Sequence, residues 1–164
     1  MMKKFIVMCT SLLAVLLSAS NVSAATVEVS WTEPEKYRDI RSGEQSRKHF
    51  EARVFKSLTE HFEKMAEKLP ENQTLKVDVT DVDLAGDVNA GGIRQIRIVK
   101  DLYFPRMKFS YQLLDSNNET LIKDEVNVKD MGFMQSSGLR YKSKSFGYEK
   151  KMLDEWFAET FKPE

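Results

Sequence analysis

Pro105-Arg106-Met107-Lys108-Phe109-Ser110-Tyr111-Gln112-Leu113 is the most regular stretch of the chain. Met107, Phe109, Tyr111 and Leu113 alternate with Arg106, Lys108, Ser110 and Gln112, the period of two that a half-buried strand requires. Pro105 has no N–H to give to a ladder and suits the strand's first position. Asp115-Ser116-Asn117-Asn118 then reads as a turn, and Ile122, Val126 and Val128 make the return strand of a hairpin. Asp124 interrupts the apolar side of that strand, which places it towards an edge.

Upstream, Leu75, Val77 and Val79 share one parity while Val82 and Leu84 share the other. A strand changes face only through an extra residue, so a bulge is expected at Thr80 to Asp81. Gly86 to Gly92 is glycine-rich and connects to a short strand marked by Ile96 and Ile98. Val27, Val29 and Trp31 alternate in a first strand closed by Pro34. Between the first two strands, Val54, Phe55, Leu58, Phe62, Met65, Ala66 and Leu69 fall on one arc of a helix. The spacing predicts a helix from Gly43 to Leu69, with Ser42 and Gln45 as a capping box and Pro70 as its stop.

Residues 130–146 show no sustained period and read as a long loop carrying Met131, Phe133, Met134 and Tyr141. From Tyr148 the helical spacing returns through Met152, Leu153, Trp156, Phe157 and Phe161, with Ser145 as N-cap. The order β-α-β-β-β-β-α implies an α+β fold. Burying both helical stripes most simply gives a two-layer sandwich, with two helices on one face of a mostly antiparallel sheet of about five strands.

Met1-Met2-Lys3-Lys4 precedes the acid-free apolar run Phe5 to Leu17, followed by small residues up to Ala24-Ala25. This is the order of a secretory signal peptide, cleaved between Ala24 and Ala25. The run is too short for the about 20 residues of a bilayer-spanning helix. Residues 1–24 are therefore expected to leave, and residues 25–164 to form one soluble domain with no membrane span. Cys9, the one cysteine, departs with the leader, so the mature part has neither disulfides nor thiolate ligands. Charges of the two signs balance at 25 each, which argues against a nucleic-acid partner.

Four segments taken in order resemble one family: Glu33 to Ile40, Asp81 to Gly86, Phe104 to Met107, and Tyr148 to Phe157. The chain resembles the exported proteobacterial proteins grouped as domain of unknown function 3016. Phe104 stands where the resemblance leads one to expect a tryptophan. The resemblance implies a Gram-negative periplasmic or envelope location, and it implies no activity, cofactor or catalytic residue.

Asp81 and Asp83 leave one face of an extended segment roughly 7 Å apart, near enough to share a divalent cation. The alternative is a structural pair balanced by Arg94 or Arg97. His49 and His61 stand about 120° apart around the helix axis and cannot ligate one metal. No nucleophile elbow or phosphate-binding glycine motif is present. Arg94, Arg97, Arg106 and Lys108, with Tyr103 and Phe104, offer a basic and aromatic surface for an anionic glycan or lipid head group. Phe133 and Tyr141 offer either a partner-docking loop or a cover for the core.

No constellation in the chain meets the needs of a reaction, and no cofactor is called for. The leading reading is a non-catalytic periplasmic binding or protein-interaction domain whose partner is an envelope protein or envelope component. The alternatives are a small metal-assisted hydrolase centred on Asp81 and Asp83, and a structural or inhibitory capping domain.

Overall fold

The computed structural model describes residues 24–89, 91 and 93–162. The leader expected over residues 1–23 lies outside the described residues. The fold is α+β, with strands β1 (Thr26–Trp31), β2 (Thr74–Asp83), β3 (Asp87–Val88), β4 (Arg97–Ile98), β5 (Arg106–Leu114) and β6 (Thr120–Lys129). Its helices are α1 (Arg47–Ala66), α2 (Phe133–Ser136), α3 (Leu139–Lys142) and α4 (Gly147–Thr160).

The main sheet has four strands in the order β1-β2-β5-β6. β1 runs parallel to β2, whereas β2/β5 and β5/β6 are antiparallel, so the sheet is mixed, with antiparallel pairing in the majority. The parallel pair follows from the α1 crossover between β1 and β2, which returns the chain to the same end of the sheet. The short strand expected at Ile96 and Ile98 does not join this sheet. It pairs with β3 in a separate two-stranded ribbon, which lowers the main sheet from the expected five strands to four.

The register of β2 shifts between Val79 and Asp81, where the change of parity requires it. With Thr80 exposed as the extra residue, Leu75, Val77, Val79 and Val82 are all buried. Met107, Phe109, Tyr111 and Leu113 join them from β5, and β6 lies at the edge. Phe109 sits 6.0 Å from Phe62 of α1 and 4.7 Å from Trp156 of α4, both in T-shaped contact. These rings belong to one hydrophobic cluster with Val54, Leu58, Met65, Leu153 and Phe157. Such centroid distances are favourable for edge-to-face aromatic pairs.

Both long helices start differently from expectation. Ser42 Oγ does accept the Gln45 N–H at 3.1 Å, but this closes a turn, and α1 begins at Arg47. Gly43 delays it, with φ at +90° and a backbone so close to Gln95 that a Cβ would lie 1.8 Å from that carbonyl. At α4 the N-cap is Phe146, not Ser145, in a left-handed conformation with φ 53°. A bulky residue there is strained. Its ring meets Phe50 at a centroid distance of 5.9 Å, a contact that offsets part of the cost.

Candidate functional site

The four segments that carry the family resemblance converge on one end of β2. The Asp39 N–H donates to the Val82 carbonyl at 3.1 Å, and the Leu84 N–H donates to the Asp39 carbonyl at 3.1 Å. Asp81 accepts the Arg38 N–H at 2.8 Å, and the Arg38 guanidinium lies 3.9 Å from Asp81 and 3.7 Å from Asp83. Directly across the ladder, Lys108 faces Asp81 and Arg106 faces Asp83. The two carboxylates are thus balanced by Arg38 and by cross-strand cations, not by Arg94 or Arg97. Burial raises the Asp83 carboxyl above its usual range despite the nearby Arg38. Among the described residues no group of three or more His, Cys, Asp or Glu side chains converges as a metal site requires.

Arg97, expected on a basic surface, is internal to this knot. Its guanidinium donates to Asp39 Oδ2 at 2.8 Å and to the carbonyls of Gly86 at 2.6 Å and Arg41 at 2.9 Å. The Arg106 guanidinium lies 5.4 Å over the Phe104 ring, and Tyr103 is partly exposed while its carbonyl accepts the Gly86 N–H at 2.8 Å. Arg97 and the Tyr103 carbonyl therefore tie the β3–β4 ribbon and the approach to β5 to the end of β2, which encloses Arg97 and leaves Tyr103 partly exposed.

Residues 130–146 are not the unstructured loop their sequence suggests. They form α2 and α3, and Phe133 is fully buried with its ring 4.8 Å from Tyr148. Phe133 belongs to the interior and is no part of a docking surface. Tyr141 is placed elsewhere, in a cleft of about 210 Å³ between α1, α3 and α4.

That cleft is built from helical spacing. Ser57, His61, Lys64 and Lys68 recur at four, three and four positions along α1 and just past its end, a stripe beside the buried stripe of Val54, Leu58 and Phe62. Lys150 and Asp154 project from successive turns of α4, and Arg140, Tyr141 and Lys144 close the third side. His61 Nε2 stands 3.1 Å from Asp154 Oδ1 and 3.0 Å from the Lys150 carbonyl. Both neighbours are acceptors, which fixes a proton on Nε2. The Tyr141 hydroxyl donates to Asp154 Oδ2 at 2.8 Å. Burial alone would raise the Asp154 carboxyl, but the bonds from His61 and Tyr141 outweigh it and hold the group below the usual carboxylate range.

Lys150 Nζ donates to Ser57 Oγ at 2.7 Å, and burial lowers the Lys150 ammonium from its ordinary value. A hydroxyl beside a lysine is also a nucleophile-base geometry. Ser57, however, sits inside α1, where the surrounding backbone N–H groups are consumed by the helical ladder and none is left to stabilise an oxyanion. Of the two acids in the cleft, Asp154 is engaged on both oxygens and Glu60 lies 3.8 Å from Lys56. Lys64, Lys68 and Lys144 have no ion pair among the described residues. The cleft thus presents Lys64, Lys68, Arg140, Lys144 and Lys150 with little opposing charge.

Sequence reasoning put His61 on the first helix and Tyr141 among the candidate contacts, but it did not bring them together. The missed signal is the run of polar residues at 57, 61, 64 and 68, which keeps the same period as the core stripe one position away.

Among the described residues no helix is long and apolar enough to cross a membrane. No curated protein and no solved structure matches the chain significantly. The family model described as protein of unknown function (DUF3016) matches residues 25–159, nearly everything that folds into the sheet and its helices, and the chain belongs to that family.

Proposed function

We propose that residues 25–164 form a single exported, non-catalytic binding domain of the cell envelope, which takes an anionic ligand in the cleft between α1, α3 and α4. In this reading the two long helices form a second layer over the apolar face of the sheet, and the cleft opens where they meet. The observation that carries it is the unbalanced charge. Asp154 stays ionised but is engaged by His61 and Tyr141, and Glu60 lies beside Lys56, so five cations outnumber the two acids of the cleft and are available to an entering anion. Positive clefts with low-dielectric walls concentrate anions. Export is supported by the basic, apolar and small-residue order of residues 1–24.

Glycerol 3-phosphate titrated into isotopically labelled mature protein tests the site by chemical-shift perturbation. Shifts centred on Ser57, His61, Lys64 and Tyr141, lost in the Lys64→Glu, Lys144→Glu double variant, are the expected result. Absence of saturable shifts there overturns the reading.

A further inference from the structure

Beside the basic cleft lies an apolar groove of about 900 Å³, walled by Leu69, Leu113, Leu121, Ile122, Phe157 and Phe161. The volume is within the roughly 300 to 1,000 Å³ of small-molecule sites. Leu121 and Ile122 on β6 are 50% and 38% exposed, although an edge strand would ordinarily carry polar residues there.

The groove and the cleft adjoin at one residue. Lys68 lines both, with Nζ 6.0 Å from the Phe157 ring centroid. Along α4, Lys150, Asp154, Phe157 and Phe161 recur at four, three and four positions, one stripe that changes from polar to apolar. At 1.5 Å per residue it spans roughly 16 Å.

We infer that the occupant is a monoacyl phospholipid with an anionic head group, its phosphate in the cleft and its single chain in the groove; this rests on the anion-binding reading proposed above. A purely polar ligand leaves Leu121, Ile122 and Phe161 wet, and a purely apolar one leaves the cations without a counter-charge. A second copy of this chain would bring its own Lys68 and Lys162 against those at the groove, a like-charge contact. Gln73 Oε1, on the groove wall, is buried with no hydrogen-bond partner. Turned towards the groove, this acceptor would meet the free glycerol hydroxyl of a monoacyl lipid, a donor that a fatty carboxylate does not have.

Calorimetric titration of the mature protein with myristoyl lysophosphatidylglycerol below its micellar concentration, and separately with glycerol 3-phosphate, tests this. The lysolipid is expected to bind at least tenfold tighter. Leu121→Glu is expected to reduce it to the level of glycerol 3-phosphate, and Lys64→Glu, Lys144→Glu to abolish both. Ile122→Lys, checked by circular dichroism, replaces Leu121→Glu should the latter fail to fold.

Equal affinities with no effect of the groove variants overturn this inference and leave the anion site standing. Loss of all binding by both probes overturns the two together. Lysolipid binding that survives the lysine reversals overturns the placement of the head group. Binding only to phosphatidylglycerol vesicles, with none to the monomeric lipid, overturns it in favour of a membrane surface.

Discussion

Glu149 Oε1 accepts the Ala85 N–H at 2.7 Å, joining the first turn of α4 to the residues after β2 across 64 positions of sequence. The carboxyl is fully enclosed, and burial raises it above the usual range although Arg97 opposes the shift. A carboxyl raised in the folded state keeps its proton after the unfolded chain has lost its own, so stability falls as pH rises from the ordinary glutamate value through the folded one. Glu149→Gln keeps the acceptor and removes the titration. Its thermal midpoint is expected to exceed that of the parent at neutral pH and to converge with it below about pH 4. Thermal melts across pH check this, and a variant less stable at neutral pH would contradict it.

Trp156→Ala is expected to cost about 3 to 5 kcal/mol, the usual range for truncating a buried aromatic. The indole is 8% exposed and touches Phe109 at 4.7 Å and Tyr111 at 5.3 Å. Urea unfolding measures the loss, and a change below about 1 kcal/mol would mean that those ring contacts contribute little.

Gly147→Ala is expected to open the cleft. A Cβ at Gly147 would lie 1.9 Å from the Tyr141 carbonyl, and that backbone cannot yield without moving α3. Displacing Tyr141 removes its bond to Asp154. Chemical shifts at His61 and Asp154 report the change, together with an unfolding midpoint lowered by about 1 to 3 kcal/mol of stability.

Asp81 and Asp83 are expected to bind Ca²⁺, Mg²⁺, Mn²⁺ and Zn²⁺ weakly or not at all, because the Arg38 guanidinium lies 3.9 Å from Asp81 and 3.7 Å from Asp83, and Lys108 and Arg106 are their partners across the ladder. Calorimetric titration decides it. Micromolar binding abolished by both Asp81→Asn and Asp83→Asn would restore a metal-assisted hydrolase as the better reading.

The mature protein is expected to begin at Ala25. N-terminal sequencing of periplasmic material shows the cleavage point, and a start beyond Thr26 or a retained Met1 would refute it.

The elements with a clean period were legible in the sequence, and those defined by tertiary contact were not. Met107 to Leu113 alternates without interruption, and the change of parity at Thr80 located the bulge because a strand has no other means of changing face. The pairing of Arg97 and Ile98 with β3 could not be read, since two-residue strands leave no period to detect. Nor could the start of α1, where the favourable cap at Ser42 is overridden by the close approach of Gly43 to Gln95. Residues 130–146 looked formless because α2 and α3 have four residues each, about one turn, and are held by Phe133 and Tyr141 more than by propensity. The cleft was hidden for a related reason. Ser57, His61, Tyr141, Lys150 and Asp154 are ordinary in isolation and acquire meaning only where three helices meet.

β1 pairs with β2 alone, and Thr26 Oγ1 meets Thr74 Oγ1 at 3.0 Å across 48 positions. β1 therefore has no hydrogen-bonding partner in the sheet until the whole of α1 and all of β2 have followed it. Closing so long a loop costs conformational entropy before any ladder bond repays it, which places the domain among slower-folding topologies. Until that closure the β2 edge is an open template for a foreign strand.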